Sequence, residues 1–426
     1  MQGASAQLTE ATAEHSLRTV LAGRARVNPE AGDSAGVVSL IVDDATQTDT
    51  VIGDVLAHLR DRLPAAQFQA VSADAPDYLG ALTEMRLRRE RDEVRLDLPA
   101  TGEFPFATPC RLCRAAPAVA RVRLGEGDEK DACADCRMRH SWEARRAGES
   151  AERELAGSVG QGRPPDEFSA LALLGAADTD RNHLATVYAD GNGIGDFFDR
   201  VARLDLPAGS PTRAGASKAL SEHTRAALTH AAQRATHDGR MCVIPHVVGG
   251  DDILVTLPAD RAWTFTRTFL ADLCTRLAGT ARDLGIPAPT VSAGIVIAHA
   301  RHPFYLVVEE ATAGLKRAKR AVAGTAASVQ LHDVTVDGVD GTRMPGLRLD
   351  TVESAAEDLD LLRAVPQSGR VRLAEVLVGR QGPARAFDLA ERLGRVDAVT
   401  PFLPKPDGEE PGIALAHALR IVRWWR

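Results

Sequence analysis

The chain has 426 residues, enough for two or three domains with their own hydrophobic cores, which excludes a small module stapled by disulfides or metal alone. A hydrophobic content of 44% and a charged fraction of 26% are typical of a globular protein, and no apolar run approaches the roughly 18 residues of a membrane span. The formal net charge of −7 argues against a surface devoted as a whole to nucleic acid, although it is compatible with a local basic patch.

The N-terminal region predicts one small α/β unit. Residues 1–35 are polar and have neither a basic leader nor an apolar core, so we expect a cytoplasmic protein without membrane association. From Gly36, VVSLIVDD predicts a strand, TVIGDVLAHLRDRL a helix, and FQAVSA and DEVRLDL two more strands. This unit, residues 36–105, has no Gly-Gly-Asp turn, so we interpret Asp43 and Asp44 as strand-end or capping residues rather than catalytic ones.

Four of the six cysteines form two C-x-x-C pairs within residues 106–146. The pairs, separated by nineteen residues, can bring four thiolates to one tetrahedral Zn²⁺; four unligated thiols are the alternative. Since four thiolates leave no open coordination position, the zinc would be structural. Nearby arginines could contact phosphate, but the acidic residues among them favour a solvated surface. The predicted zinc ligands are Cys110, Cys113, Cys133 and Cys136.

The second half of the chain predicts a larger domain between a linker and a helical region. Residues 147–180 contain a stretch rich in Gly, Pro and charge, the composition of a linker. Residues 181–338 carry signals for strand, helix, helix, hairpin, helix, strand, helix and strand, which predicts an antiparallel sheet backed by helices on one face. Residues 339–426 predict a mostly helical domain and indicate no chemistry.

The predicted hairpin has the sequence VVGGDDILV, residues 247–255. Gly and Asp are common turn residues, so ordinary hairpin chemistry is one explanation of the motif. The flanking aliphatic runs predict buried strands, however, and adjacent carboxylates there would repel each other and resist desolvation unless a cation lies between them. Asp190 closes an earlier strand of the same domain. If the strands are neighbours, Asp190, Asp251 and Asp252 meet at one edge of the sheet.

Such a cluster suits two-metal phosphoryl or nucleotidyl transfer. One Mg²⁺ or Mn²⁺ would lower the pKa of an attacking hydroxyl, and the other would neutralise charge on the α-phosphate and the leaving pyrophosphate. Lys319, on the last helix of the domain, could bind a triphosphate. The alternative for Lys319 is a solvated helix face, since Lys316, Arg317 and Arg320 are its neighbours.

Three stretches resemble the Palm domain of the large subunit of type III CRISPR effector complexes, especially its Cmr-type branch. They are 187-VYADGNGIGDFF-198, 249-GGDD-252 and 291-VSAGIVIAHARHPFYLVVEEATAGLKRAKR-320. The order of a Palm-like unit, a four-cysteine zinc element, a GGDD Palm and a helical tail is similar to that family over most of the chain. The resemblance implies an α+β fold with two ferredoxin-like Palm units, of the GGDEF and polymerase type, at residues 36–105 and 181–338.

The family's GGDD Palm converts ATP into cyclic oligoadenylates in antiviral defence, and the resemblance implies the same nucleotidyltransferase activity here. It implies that Asp190 and Asp251 bind Mg²⁺ or Mn²⁺, with Asp252 assisting and the Gly191 carbonyl as a further ligand. The family usually has a second acidic residue two positions after the first, where this chain has Asn192. An amide oxygen can ligate Mg²⁺ but brings no charge.

The nucleotide-binding residues implied by the resemblance are two glycines and a lysine. Gly249 and Gly250 would let the backbone approach the nucleotide, and Lys319 would contact its phosphates. The expected partners are ATP, guide or target RNA and other effector-complex subunits. The sequence before Gly36 has no room for the nuclease domain of many relatives, so we expect no DNA cleavage by that route. The alternatives are a catalytically silent, RNA-binding scaffold of an effector complex and a stand-alone cyclic dinucleotide synthase acting as a homodimer.

Overall fold

The protein is described here by a computed structural model, in which the chain divides into two compact units. One unit comprises Met1–Glu154 and Phe198–Ser221, and the other comprises Leu155–Phe197 and Glu222–Arg426. No helix of the described residues is both long and apolar enough to cross a membrane. The structure describes residues 2–31, 36–99, 107–123, 128–145, 151–165, 167–175, 182–204, 213–337, 344–378, 381–405 and 407–426.

The first unit combines helices with short antiparallel strand pairs. Its core is an aliphatic cluster that includes Leu17, Val51, Val55 and Leu59, on the buried faces of two helices. The helices that lie wholly in this unit are Gln2–Thr12, Glu14–Leu21, Thr48–Arg62, Tyr78–Glu90 and Ala134–Arg145. The strand pairs among its described residues are Arg26–Val27 with Leu40–Ile41, Phe68–Ala70 with Arg95–Asp97, and Ala120–Arg123 with Glu129–Ala132.

Residues 36–99 contain the predicted strands in shortened form, the predicted helix as Thr48–Arg62, and one helix that the sequence analysis missed, Tyr78–Glu90. Asp77 caps that helix, because its carboxylate accepts a hydrogen bond from the backbone N–H of Gly80 at 2.7 Å. Asp44 also acts as a cap, accepting from the N–H of Thr46 at 2.9 Å, so its interpretation as a capping residue is confirmed. That this region copies the second Palm unit stays a prediction.

The second unit is built on a six-stranded sheet, counted over the described residues. The strands are β1 His183–Asn192, β2 Ile244–Val248, β3 Ile253–Pro258, β4 Thr290–His299, β5 Ser328–Asp333 and β6 Leu347–Arg348. Their order in the sheet is β2-β3-β1-β4-β5-β6, with every neighbouring pair antiparallel except β4 and β5, which are parallel. The sheet is therefore mixed, and the expectation of a wholly antiparallel sheet is wrong at this pair.

The parallel pair follows from the connection between its strands. β4 leads into the helix Phe304–Ala321, which returns the chain so that β5 runs in the same direction, as a crossover connection requires. The long helices Ala262–Asp283 and Phe304–Ala321 contact this sheet. The helices Ile194–Ala202 and Arg213–Gln233 each contain residues of both units.

Both faces of the sheet are covered, which corrects the expectation of helices on one face. Successive residues of a strand point to opposite faces, yet residues 291–298 of β4 and all of β3 are buried. The mostly aliphatic composition of these strands is that of a sheet buried on both sides. The mixed α+β class predicted from the sequence is confirmed, and so is the predicted helical C-terminal region.

The C-terminal region ends in two buried tryptophans, Trp424 and Trp425. The indole N–H of Trp424 donates to the Asp333 carboxylate at the end of β5 at 2.7 Å, and that of Trp425 donates to Asp360 at 3.0 Å. The helices of this region are Leu349–Ser354, Ala356–Arg363, Gln367–Val376, Gly382–Leu393, Val396–Val399 and Leu415–Val422.

Candidate active site

The GGDD motif forms the tip of the hairpin that joins β2 to β3, as predicted. Val248 pairs with Ile253, and the N–H of Gly249 donates to the carbonyl of Asp252 at 2.8 Å, which closes the turn. A Cβ atom at Gly249 would overlap Oδ1 of Asp252. Glycine at this position therefore leaves room for the Asp252 carboxylate to fold back against the turn. Thr224, which the sequence analysis did not single out, anchors the tip by donating to the carbonyl of Gly250 at 2.8 Å.

The register of the sheet brings Asp190 beside this turn. β1 lies between β3 and β4, and Ala189 pairs with Ile253, the first residue after the turn. The next residue of β1, Asp190, consequently lies at the level of the turn. The Asp251 carboxylate packs against Gly191, since a Cβ there would come within 2.9 Å of its Oδ2 atom.

We call Asp190, Asp251 and Asp252 the aspartate cluster, and the pKa is raised for two of its carboxylates, those of Asp251 and Asp252. Burial raises the pKa of Asp251 to about 6, with further contributions from the charges of Asp190 and Asp252 and from a hydrogen bond to Asp190. Burial, followed by the charge of Asp190, also raises the pKa of Asp252. The pKa of Tyr188 rises to about 12 through burial and then the charges of all three aspartates. The site therefore disfavours negative charge unless a cation is present.

Lys319 supplies one such cation. Its Nζ donates a hydrogen bond to Oδ2 of Asp190 and another to the carbonyl of Gly191 at 2.7 Å. The structure therefore places Lys319 inside the site rather than on a solvated helix face. Lys319 lies near the end of the helix Phe304–Ala321, which we call the Lys319 helix.

The Lys319 helix is held unusually close to the sheet by a glycine on each side. A Cβ at Gly294 of β4 would meet the helix backbone, overlapping the carbonyl of Ala311 and lying 2.6 Å from the nitrogen of Leu315. A Cβ at Gly314 would come within 2.6 Å of the side-chain oxygen of Gln330 on β5. This close approach sets the position of Lys319 relative to the end of β1.

Asn192 is buried, only 3% exposed, and its amide nitrogen is fully used. It donates to Oγ1 of Thr290 at 2.9 Å, to Oγ of Ser292 at 2.8 Å and to the carbonyl of Ala326 at 3.2 Å. Its Oδ1 atom is buried without a hydrogen-bond partner in the described part of the chain. Asn192 thus holds β1 to β4 while leaving one oxygen unused.

A line of buried hydroxyls that sequence reasoning missed continues from Asn192. Oγ of Ser292 lies 2.8 Å from Oγ of Ser328, and Ser328 donates to the carbonyl of Ala318 at 2.9 Å, next to Lys319. Polar residues at buried positions of aliphatic strands were the available signal, since such groups need partners. These bonds link the end of β1 to the Lys319 helix.

The donor atoms of this site fit a hard divalent cation. Carboxylates, the Gly191 carbonyl and the unpartnered Oδ1 of Asn192 are all oxygen donors of the kind that Mg²⁺ and Mn²⁺ prefer. The ligand atoms of the aspartate cluster are, however, not all within 4.8 Å of one another. Among the described residues, the four cysteines are the one set of three or more potential metal-binding side chains with ligand atoms all within 4.8 Å of one another.

That cysteine set lies in the first unit and could hold a zinc ion. The Sγ atoms of Cys113 and Cys133 are 3.7 Å apart. Backbone N–H groups point at the sulfurs, from Leu112 to Cys110 at 3.4 Å and from Cys136 to Cys133 at 3.4 Å, an arrangement that stabilises thiolates. The four predicted ligands, Cys110, Cys113, Cys133 and Cys136, are thus together.

Residues 183–325 match the family described as Cas10/Cmr2, second palm domain. The resemblance drawn from the motifs is confirmed. The matched segment contains the whole aspartate cluster and Lys319. No curated protein matches the sequence.

Solved structures of Csm1 are also similar to the chain. Csm1 of T. onnurineus aligns with a TM-score of 0.42 and 14% identity, over 60% of this chain and 38% of that one. Csm1 in a Csm1-Csm4 cassette in complex with cA4 aligns with a TM-score of 0.56 and 11% identity, over 99% of this chain and 66% of that one. The second match supports a shared fold. The chain spans less than two thirds of the length of these Csm1 chains.

Proposed function

We propose that the protein is a nucleotidyltransferase that joins ATP molecules into cyclic oligoadenylate-type second messengers in type III CRISPR defence. The observation that carries the proposal is the meeting of Asp190, Asp251 and Lys319 at the end of β1, inside the segment that matches the Cas10/Cmr2 second palm domain. The matched structure is a Csm1-Csm4 cassette in complex with cA4, a molecule of this class, which supports the proposal.

The oxygen atoms of the site would hold the metal ions. Asp190 and Asp251, assisted by Asp252, would hold Mg²⁺ or Mn²⁺, with the Gly191 carbonyl and Oδ1 of Asn192 as neutral ligands. The chemistry that two such ions supply is activation of a ribose 3′-hydroxyl and neutralisation of charge on the α-phosphate and leaving pyrophosphate.

The nucleotide would lie over the hairpin tip. Gly249 and Gly250 present no side chain there, so the backbone can approach the sugar and phosphates closely. Lys319 would contact the phosphates, as an ammonium group with three donors can do.

The partners of the protein are proposed on the same basis. The matched Csm1 stands in a cassette with Csm4, which supports other effector-complex subunits as partners of this chain. Guide or target RNA is proposed as a further partner. Zinc at the four cysteines would stabilise the first unit.

The test is product analysis with the purified protein. Each nucleoside triphosphate is incubated with Mg²⁺ or Mn²⁺, with and without RNA, and the products are identified by mass spectrometry. We expect cyclic oligoadenylates from ATP, and a loss of at least about a hundredfold in rate for Asp251→Asn, as for removal of a principal electrostatic group. Asp388→Asn, a neutralisation of an exposed aspartate on a C-terminal helix, is the matched control and should retain activity.

Two other outcomes would replace the proposal. Linear or cyclic dinucleotides from a homodimer without RNA would indicate a stand-alone cyclic dinucleotide synthase. Absence of any product under every condition, together with RNA binding, would indicate the silent scaffold. The position of Lys319 on Asp190 is the observation that gives the scaffold some support, because this ion pair satisfies the carboxylate without a metal.

A further inference from the structure

Lys319 forms hydrogen bonds with two of the oxygen atoms that the proposed function assigns to a metal ion. Its ammonium group donates to Oδ2 of Asp190 and, at 2.7 Å, to the carbonyl of Gly191. Both oxygens belong to adjacent residues at the end of β1. The ammonium group therefore lies between them, as a bound cation would.

A divalent cation cannot share this position with the ammonium group. Mg²⁺ lies about 2.1 Å from its oxygen ligands, so an ion on the same two oxygens would be only a few ångströms from Nζ. Like charges at such a distance in a partly buried site repel strongly. Lys319 has no acceptor that could turn this contact into a favourable one. The metal and the lysine must exchange.

Only the side chain of Lys319 is free to make this exchange. The Lys319 helix is packed on β4 with Gly294 against its backbone, so the helix itself cannot retreat without breaking that contact. The Lys319 side chain keeps 28% of its surface exposed, which leaves a route outwards from Asp190. A displaced ammonium group needs a new anionic partner near the site.

We propose that Lys319 couples metal binding to nucleotide binding by exchanging partners. Without nucleotide, its ammonium group holds Asp190 and Gly191 and keeps a divalent cation from them. When a nucleoside triphosphate binds, the ammonium group moves to a phosphate oxygen and releases both oxygens to the metal. This inference rests on the proposed function for the metal site and the nucleotide, but the competition between lysine and metal does not require catalysis.

The test measures metal binding without nucleotide and without turnover. Mn²⁺ is titrated into the metal-free protein, and free Mn²⁺ is followed by electron paramagnetic resonance. We expect Lys319→Gln to bind Mn²⁺ about ten times more tightly than wild type, within the range usual for coupled sites. Lys316→Gln, which removes an exposed lysine from the same helix, should bind Mn²⁺ as wild type does. Lys319→Arg keeps the competing positive charge, so its affinity for Mn²⁺ should stay as weak as that of wild type.

A second arm measures the coupling itself with a non-reactive ATP analogue whose α,β-bridge is a methylene group. The analogue should tighten Mn²⁺ binding more in wild type than in Lys319→Gln, because the variant has no lysine to displace. If Lys319→Gln binds Mn²⁺ alone no more tightly than wild type, the inference is overturned. If Lys319→Gln does not fold, Lys319→Met, which keeps the length of the side chain, takes its place with the same criterion.

The outcome is separable from that of the proposed function. A protein that makes no product from any nucleotide, but binds Mn²⁺ more tightly after Lys319→Gln, would lose the proposed activity and keep the competition. An active protein whose Mn²⁺ affinity does not respond to Lys319→Gln would keep the activity and lose the competition.

Discussion

At the scale of single residues, the ionised carboxylate of Asp251 should lower the stability of the fold by a measurable amount. Its pKa is about 6 in the folded protein against an ordinary value of 3.8. A carboxyl group with a raised pKa binds its proton more tightly in the folded protein than in the unfolded chain. The free energy of unfolding therefore falls as pH rises from 3.8 through about 6, and the loss is complete above that pH. Asp251→Asn removes the charge and keeps the shape.

We therefore expect Asp251→Asn to raise the melting temperature at pH 7.5 in buffer without Mg²⁺, by roughly 2–5 °C. This gain in melting temperature should shrink towards pH 4, where the wild-type carboxyl is protonated. With Mg²⁺ and ATP, wild type should be stabilised and the variant should not. The measurement is thermal melting at both pH values, with Asp388→Asn as the unchanged control. A variant that melts below wild type at pH 7.5 without Mg²⁺ would contradict the explanation.

At the scale of elements, the contact between β4 and the Lys319 helix is the one that positions the site. Gly294 faces the backbone of this helix, and a backbone cannot relieve a clash by changing rotamer. We expect Gly294→Ala to destabilise the protein by about 2–3 kcal/mol, as overpacking in a core does, and to shift Lys319 away from Asp190. Urea denaturation measures the first effect.

Gly279→Ala is the control for this prediction. Gly279 lies in the helix Ala262–Asp283, and nothing lies within 4 Å of a Cβ built there. Alanine should stabilise this helix by about 0.5–1 kcal/mol, because glycine loses more conformational freedom on folding. Equal stability of wild type and Gly294→Ala would show that the sheet and helix are less closely packed than described.

At the scale of the whole molecule, the first unit should depend on zinc. Cys110, Cys113, Cys133 and Cys136 provide a complete tetrahedral set, so we expect about one equivalent of Zn²⁺ in the purified protein. Cys133→Ser should lose the zinc and much of the solubility, because a small metal element without its ion exposes its interior. Cys274 lies outside the four-cysteine set, so the control variant Cys274→Ser should keep the zinc.

Metal analysis by mass spectrometry and the soluble fraction after expression are the two readouts. Purified wild type without zinc, or Cys133→Ser with a full equivalent, would show that the four thiols serve some other purpose. Zinc removal by a chelator should lower the melting temperature of wild type but leave that of Cys133→Ser unchanged.

The sequence by itself determined the features that depend on local chemistry. The two C-x-x-C pairs indicated one metal site, GGDD between aliphatic runs indicated a hairpin tip, and Asp44 could be assigned as a cap. Each of these signals lies within a few residues or at a fixed spacing, so turn geometry and ligand chemistry are enough to interpret it. The resemblance in the second half also required only three short stretches.

The tertiary structure alone decided which of these residues meet and what they do when they meet. The parallel pairing of β4 with β5, the burial of the sheet on both faces and the bonds of Asn192 all depend on strand neighbours far apart in the chain. The contact of Lys319 with Asp190 spans 129 positions and depends on how closely one helix approaches the sheet. A sequence pattern shows which face of an element is apolar, but the distance between two elements is set by the side chains of both, here by two glycines.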